Sequence, residues 1–238
     1  MLAQEAVNLY HKNQIADSAA KFEEAAKLDP YIATIQLDLG FANLALYQNQ
    51  PKSPAGQEAA TKAVNAFERY LQLRPDEERA RVFLVQTFVD TGRYDDAVAF
   101  FKPQVEKTPP DGEALGILGV IAAKSGKYDE AKGWYEKRIA AEPQNPDARL
   151  QLGVLMWDYL HSHTDLVGAD RVAVCDVALG HLAESIKLRP KAPNAYLYTN
   201  LVYRERAAGE PDDDHKRVDL EEANKYFKLA NDMSKGGK

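Results

Sequence analysis

The stretch that decides the fold is residues 115–143, LGILGVIAAKSGKYDEAKGWYEKRIAAEP. It contains two apolar runs with helical spacing, separated at Gly126 and ended by Pro143. Glycine readily adopts the left-handed conformation that ends many helices, and proline cannot extend a helix because it lacks a backbone N–H. The stretch therefore predicts two short antiparallel helices, which we call helix A and helix B.

The same helix pair recurs along the chain. Prolines that follow an apolar helical run are spaced by 45, 34, 34 and 47 residues, at Pro30, Pro75, Pro109, Pro143 and Pro190. The aromatic or large apolar residue eight positions before each proline keeps this spacing and has a sixth copy: Phe22, Phe67, Phe101, Tyr135, Leu182 and Phe227. We call these six the signature positions. Such periodicity at two independent positions indicates six copies of one unit.

The residues of this unit resemble a tetratricopeptide repeat. The fourth copy carries the fullest pattern, with Leu115, Leu118, Gly119, Gly126, Lys127, Tyr128, Ala131, Tyr135 and Pro143. The third copy is similar, with Leu84, Phe88, Gly92, Tyr94, Ala97, Phe101 and Pro109. The family usually has tryptophan where the fourth copy has Leu115, and the first copy departs most, with Glu5 and Ser18 at two pattern positions. The resemblance covers essentially the whole chain.

This resemblance implies an all-α fold, a right-handed α-solenoid of about six helix pairs. We expect one solenoid over residues 1–238, with repeats at about 1–32, 33–77, 78–111, 112–145, 146–192 and 193–238. Repeats 2, 5 and 6 carry long insertions between helices A and B, around 47–57, 159–174 and 208–217. The insertions in repeats 2 and 5 are expected to lengthen helix B, in repeat 5 over Leu166–Leu188, and all three emerge along one edge as binding loops or tolerated surface loops.

Small residues and glycines have predicted places in this arrangement. Gly40, Gly119 and Gly153 lie on helix A where the backbones of a pair approach closely, and small residues such as Ala131 face them from helix B. Gly126 ends helix A in the left-handed conformation, and Gly92 does the same in the third repeat.

Composition excludes several classes of protein. The 238 residues carry a net charge of −6 and no lysine or arginine run, so a nucleic-acid partner is not expected. A single cysteine excludes an internal disulfide framework, and no apolar stretch approaches the roughly 18–20 residues that cross a bilayer. The N-terminus lacks a signal-peptide pattern but opens within a helical pattern without a cap, which suggests trimmed upstream sequence. We therefore expect a soluble protein, cytoplasmic unless an export signal was trimmed, with no membrane insertion.

Three clusters could suggest chemistry, and each has a simpler interpretation. His161, His163 and Asp165 lack a third firm ligand at a recognised spacing, so a solvated loop is favoured over a metal site. The acidic run 212–214 precedes a helix, where acidic residues commonly complement the helix dipole. Cys175 replaces a residue that is usually buried, which favours a small core residue over a nucleophile. With no catalytic motif present, we expect no enzyme activity, metal or cofactor.

In the resembled family the A helices line a concave groove. The family register places twelve mostly apolar residues there: Leu37, Phe41, Val82, Phe83, Gln86, Ile117, Val120, Leu150, Val154, Trp157, Tyr198 and Leu201. The lysine and asparagine clamp of the chaperone-tail-binding members is absent, and Gly116 is expected to open a dent in the groove. The resemblance implies a scaffold or adaptor that binds an apolar or amphipathic peptide segment of another protein. The alternative is self-assembly, in which another copy or a missing segment of the chain covers the groove or the end faces.

Overall fold

A computed structural model describes residues 1–236. Within that range the chain forms twelve α-helices and no β-strand: α1 (Leu2–His11), α2 (Ile15–Leu28), α3 (Ala33–Asn49), α4 (Pro54–Leu73), α5 (Glu78–Thr91), α6 (Tyr94–Val105), α7 (Gly112–Lys124), α8 (Tyr128–Ala141), α9 (Pro146–Ser162), α10 (Gly168–Leu188), α11 (Pro193–Gly209) and α12 (Asp213–Gly236). Odd-numbered helices are the A helices and even-numbered helices the B helices. The predicted all-helical fold of helix pairs is confirmed.

The chain divides after Phe100 into two compact parts, unit 1 (Met1–Phe100) and unit 2 (the residues that follow). In unit 1 the core includes the fully buried side chains of Phe22, Phe67 and Phe88. In unit 2 the corresponding layer includes Leu118 and Leu182. A single solenoid that continues through this division stays a prediction.

The signature residues pack directly on the glycines of helix A. A Cβ atom added to Gly40 would lie 2.5 Å from the ring of Phe67, and one added to Gly119 would lie 2.4 Å from the ring of Tyr135. Real Cβ atoms essentially never come so close to other heavy atoms, so only glycine fits. The glycines are therefore contacted by the signature residues, where the prediction placed small residues such as Ala131. The predicted left-handed backbone at Gly92, whose φ is 67°, is confirmed.

The extra residues of the longer repeats extend helices. The B helices α4 and α10 have 20 and 21 residues, against 14 in α2 and α8. The A helices α3, α9 and α11 each have 17 residues, against 13 in α7. Only short connections remain, such as residues 50–53, where Gly56 N–H donates to Ser53 Oγ at 2.9 Å and caps α4.

Two helix ends differ from expectation, and each has a local cause. Helix α10 begins at Gly168, two residues after Leu166, because the carbonyl of Leu166 accepts a hydrogen bond from Arg171 and Gly168 has a φ of 59°. Helix α6 ends at Val105, four residues before Pro109. Pro103 lies in its last turn, where the missing N–H and the ring weaken the helix.

Candidate functional site

Helices α7, α8, α9 and α11 of unit 2 line a cavity of about 450 Å³ that is open to solvent on one side. Five of the residues predicted for the groove line it: Val120, Leu150, Val154, Trp157 and Tyr198. They come from A helices of three successive repeats, as the family register requires. The cavity also has walls that the prediction did not include, formed by Ala123, Tyr135 and Leu155. We call this space the unit 2 cavity.

Two aromatic side chains form one end of the unit 2 cavity. The ring of Trp157 meets the ring of Tyr198 edge to face, with centroids 5.4 Å apart. On its other side Trp157 stacks on His161, one helical turn further along α9, at 5.3 Å. Both Trp157 and Tyr198 are only partly buried. The contact with His161 therefore orients an indole that remains accessible from the cavity.

Polar groups stand at the edge of the same cavity. Lys124, Asp158 and Asn194 are exposed and lie among its lining residues. Tyr135 forms part of the wall, and burial raises the pKa of its hydroxyl to about 12, so it stays neutral near neutral pH. The cavity thus combines an apolar interior with a rim of both charges.

The dent expected at Gly116 is filled. A Cβ on Gly116 would lie 2.5 Å from Nη1 of Arg138, whose side chain covers the glycine. Arg138 donates from Nη1 to Gln151 Oε1 at 2.6 Å and from Nε to Glu142 Oε2 at 3.0 Å. The missing side chain of glycine therefore makes room for an arginine of helix B instead of opening the surface.

In unit 1 the predicted groove residues form an aromatic cluster. Phe41 and Phe83 meet edge to face with centroids 4.7 Å apart, and Phe67 lies 5.3 Å from Phe41. Val82 beside Phe83 is 59% exposed. Gln86 points along α5, where it donates to Asp90 at 2.6 Å.

A smaller cavity of about 220 Å³ lies between α1, α2 and α3 in unit 1. Phe41 and Asp38 line it from α3, together with Val7, Tyr10 and His11 of α1. Burial raises the pKa of the Asp38 carboxyl above its usual value. Phe41 is one of five predicted groove residues in unit 1, and the other four do not line this cavity.

Five of the twelve predicted residues line neither cavity and make no ring contact: Val82 and Gln86 of α5, described above, and three others. Leu37, Ile117 and Leu201 are half-buried on α3, α7 and α11. They lie on the predicted helices, and their part in any binding surface stays a prediction.

A buried arginine that the sequence did not predict lies beside the site. The side chain of Arg171 is 7% exposed and pairs with Glu205 of α11, which also lies 3.2 Å from His161. Arg171 further donates to the carbonyls of Leu160 and Leu166 at 3.0 and 2.9 Å. An arginine next to Asp170 in the otherwise apolar stretch VGADRVAVC was the available signal.

In the structure, the side chains of the histidine cluster and of the acidic run make local stacking and hydrogen-bond contacts. His161 stacks on Trp157, whereas His163 stacks on Tyr159 at 4.1 Å, so the two rings pack on different partners. Among the described residues, no group of three or more histidine, cysteine or acidic side chains is placed to hold a metal ion. Asp212 accepts a hydrogen bond from the backbone N–H of His215 at 2.9 Å, which lowers the pKa of its carboxyl.

Cys175 is a buried free thiol. It is fully shielded from solvent, and burial raises its pKa to about 12. Nucleophilic cysteines require a lowered pKa and access to solvent, and this residue has neither. The prediction that Cys175 is a core residue is confirmed.

Comparisons with known proteins agree with the repeat. Two family models described as tetratricopeptide repeat match residues 55–121 and 114–149. No curated protein sequence matches the chain. No helix in the part of the chain that the structure describes is long and apolar enough to span a membrane.

Several solved structures are similar. A crystal structure of MamA protein has 20% identity and a TM-score of 0.49, covering 82% of this chain and 92% of its own. YrrB, described as a TPR protein with an unusual peptide-binding site, has 15% identity and a TM-score of 0.46, covering 89% and 91%. A monomeric mutant of IFIT1 with Gppp-AAAA has 14% identity and a TM-score of 0.53, covering 91% of this chain and 46% of that one. At such identities the likeness concerns the fold alone.

Proposed function

Because this chain is a tetratricopeptide-repeat protein, we propose that it is a non-enzymatic scaffold or adaptor that binds an apolar or amphipathic segment of another protein on its A helices. The observation that supports this most is the unit 2 cavity, where five residues of the predicted groove meet around a partly exposed Trp157. Large aromatic side chains in apolar pockets are the usual anchors of protein interfaces.

The chemistry of the cavity suits an amphipathic segment. Its apolar interior of about 450 Å³ accommodates one or two large side chains. Lys124 and Asp158 at the rim offer opposite charges to the polar side of such a segment. A helix presents apolar residues at every third or fourth position with polar residues beside them, which fits this alternation.

A probe for this site is a short peptide selected against the wild-type chain from a displayed library of random sequences. Trp157→Ala and Tyr198→Ala should each weaken its binding at least tenfold, since truncation of an aromatic anchor costs about 2 kcal/mol or more. Trp134→Ala is the matched control, because Trp134 lies on α8 outside the cavity lining. The control should bind the peptide as the wild type does.

Melting temperatures separate binding from folding. If Trp157 only packs beneath the connection after α9, Trp157→Ala should lower stability by several kcal/mol. The proposal requires a small change in melting temperature and a large loss of binding. Full-strength binding by a double variant, Trp157→Ala with Phe83→Ala, would place the binding site off the A helices.

A second copy of the chain is the alternative occupant of the A helices. In that case Trp157→Ala would dissociate an oligomer of the wild type, and the selected peptide would compete with self-association. Size measurement with and without the peptide distinguishes this arrangement from an adaptor, whose mass should grow by the peptide alone.

A further inference from the structure

The smaller cavity between α1, α2 and α3 lies at the same place in the repeat pattern as the unit 2 cavity, and we call it the unit 1 cavity. Each residue that lines it precedes a lining residue of the unit 2 cavity by the distance that separates Pro30 from Pro143. The pairs are Val7 and Val120, Tyr10 and Ala123, His11 and Lys124, Phe22 and Tyr135, Asp38 and Gln151, and Phe41 and Val154. The chain therefore forms the same kind of cavity twice.

The two cavities differ in the charges of their polar wall. In unit 2, Arg138 donates to Gln151 at 2.6 Å and to Glu142 at 3.0 Å. The residues at the corresponding positions of the first two repeats are Ala25 for Arg138, Asp38 for Gln151 and Asp29 for Glu142. Both acceptors of the arginine thus have acidic counterparts in unit 1, whereas the cation itself is missing.

The carboxylate of Asp38 has no partner within residues 1–236. It forms neither a hydrogen bond nor an ion pair there, and burial raises its pKa above the usual value. His11 is the lining residue that can carry a positive charge, and it does not pair with Asp38. An unpaired carboxylate that has lost part of its hydration is costly, so a cation beside it is favoured.

The other walls of the unit 1 cavity suit the stem of a long basic side chain. Val7, Phe22 and Phe41 are apolar, and the exposed ring of Tyr10 lies beside them. A volume of about 220 Å³ admits one large side chain. Lysine and arginine pack their methylene groups along apolar surface while the charged end pairs elsewhere, and both cations also bind to aromatic faces.

We propose that the unit 1 cavity is a second binding site, which takes one arginine or lysine side chain of a partner protein and pairs its cation with Asp38. The cation of the partner then has the role that Arg138 of the chain itself has in unit 2. The site goes beyond the function proposed above, since the two cavities share no lining residue.

A peptide selected from a displayed library of random sequences is the probe. Selection uses the Trp157→Ala chain, in which the unit 2 cavity has lost its aromatic anchor, so that binders of other surfaces are recovered. These peptides should share an arginine or lysine beside apolar residues. Citrulline in place of the arginine, or acetyl-lysine in place of the lysine, removes the charge and should weaken binding at least tenfold, because the charged hydrogen bond is lost.

Asp38→Asn tests the cavity side of the same pair. It keeps the shape of the side chain and should also weaken the peptide at least tenfold, while the melting temperature of the free chain should not fall because the carboxylate has no internal partner. Asp17→Asn is the matched control, since Asp17 is an exposed acidic residue of α2 outside the cavity and its replacement changes the net charge equally. The control should bind the peptide at full strength.

A double variant supplies the cation from the chain itself. Ala25→Arg introduces an arginine at the position that corresponds to Arg138, and Ala3→Gly introduces the counterpart of Gly116, which Arg138 covers. The new arginine should pair with Asp38 and displace the peptide. Circular dichroism checks that the variant keeps its helices, and full-strength peptide binding by a folded double variant would contradict the proposed position of the cation.

A selection that yields no binder, or only binders without a basic residue in common, would overturn the proposal. So would a peptide that binds Asp38→Asn as tightly as the parent chain, or one that Asp17→Asn weakens equally. The probe is selected and measured without Trp157, whereas the test of the unit 2 cavity depends on that residue. The two binding sites can therefore fail independently.

Discussion

The strongest test of the structure near the site is the replacement of Arg171 by methionine, which keeps most of the side-chain volume and removes the charge. Arg171 connects three elements: the end of α9, the connection that follows it, and α11. Its guanidinium donates to the carbonyls of Leu160, His163 and Leu166 at 2.9–3.2 Å and pairs with the carboxylate of Glu205.

The expected cost follows from burial. The side chains of Arg171 and Glu205 are 7% and 15% exposed, so removal of the arginine leaves a carboxylate with little access to water. Loss of one partner of a buried pair typically costs about 3–5 kcal/mol. The matched control is Arg189→Met, because Arg189 makes a similar two-bond pair with Asp147 at 2.8 and 3.0 Å while both side chains are about half exposed. Exposed pairs contribute about 0–1 kcal/mol.

Urea unfolding followed by tryptophan fluorescence is the suitable assay. The chain has two tryptophans, Trp134 and Trp157, and both lie in unit 2, so the signal reports the unit that contains Arg171. A second variant, Glu205→Gln, and the double variant complete a cycle that measures the coupling of the pair. The peptide bound by the wild type provides a further readout, since Glu205 contacts His161 and His161 stacks on Trp157.

If Arg171→Met lowers the free energy of unfolding no more than Arg189→Met does, the buried pair does not stabilise unit 2. The same follows if the effects of the single variants are additive, because a buried pair must show a coupling energy. In either case the network would not hold the end of α9 to α11.

Other changes test the packing of unit 2. Gly119→Ala should destabilise the chain by about 1–3 kcal/mol because the new methyl group would lie 2.4 Å from the ring of Tyr135, whereas Gly133→Ala, with nothing within 4 Å, should be neutral or stabilising in a urea titration. Cys175→Ala should cost about 1 kcal/mol in the same titration without affecting peptide binding, and the native thiol should resist alkylation at neutral pH. Since burial raises the pKa of Cys175 from 9.0 to about 12, its contribution to stability is present below pH 9 and is lost as pH rises towards 12. A thiol that is alkylated as fast in the folded chain as in the unfolded chain would contradict its burial.

Features set by local chemistry could be predicted from sequence. The glycines of helix A and the signature residues of helix B could be located from the repeat pattern, although their direct contact, as between Gly119 and Tyr135, was not predicted. Most helix ends could also be predicted from the sequence, because a proline or a glycine marks them. The early end of α6 was missed because Pro103 stands inside a run whose apolar spacing continues past it.

Features set by long polar side chains could not be predicted. Arg138 covers Gly116 because the guanidinium finds Gln151, which is distant from Gly116 in sequence. Arg171 is buried because four carbonyl groups and Glu205 converge on it in space. Such partners follow from the fold and leave little pattern in the chain, so the positions of Arg138 and Arg171 were not predicted, whereas five of the residues predicted for the groove do line the unit 2 cavity.

The lengthened helix pairs have a consequence for any partner that contacts the turn of one of them. The A helices α3, α9 and α11 exceed α7 by four residues, so each carries about one additional turn, or about 6 Å of rod. A flexible loop of the same length would lose conformational entropy when a partner immobilised it, whereas these residues are already ordered by folding. A partner that contacts such a turn therefore meets a preorganised surface and loses little affinity to ordering.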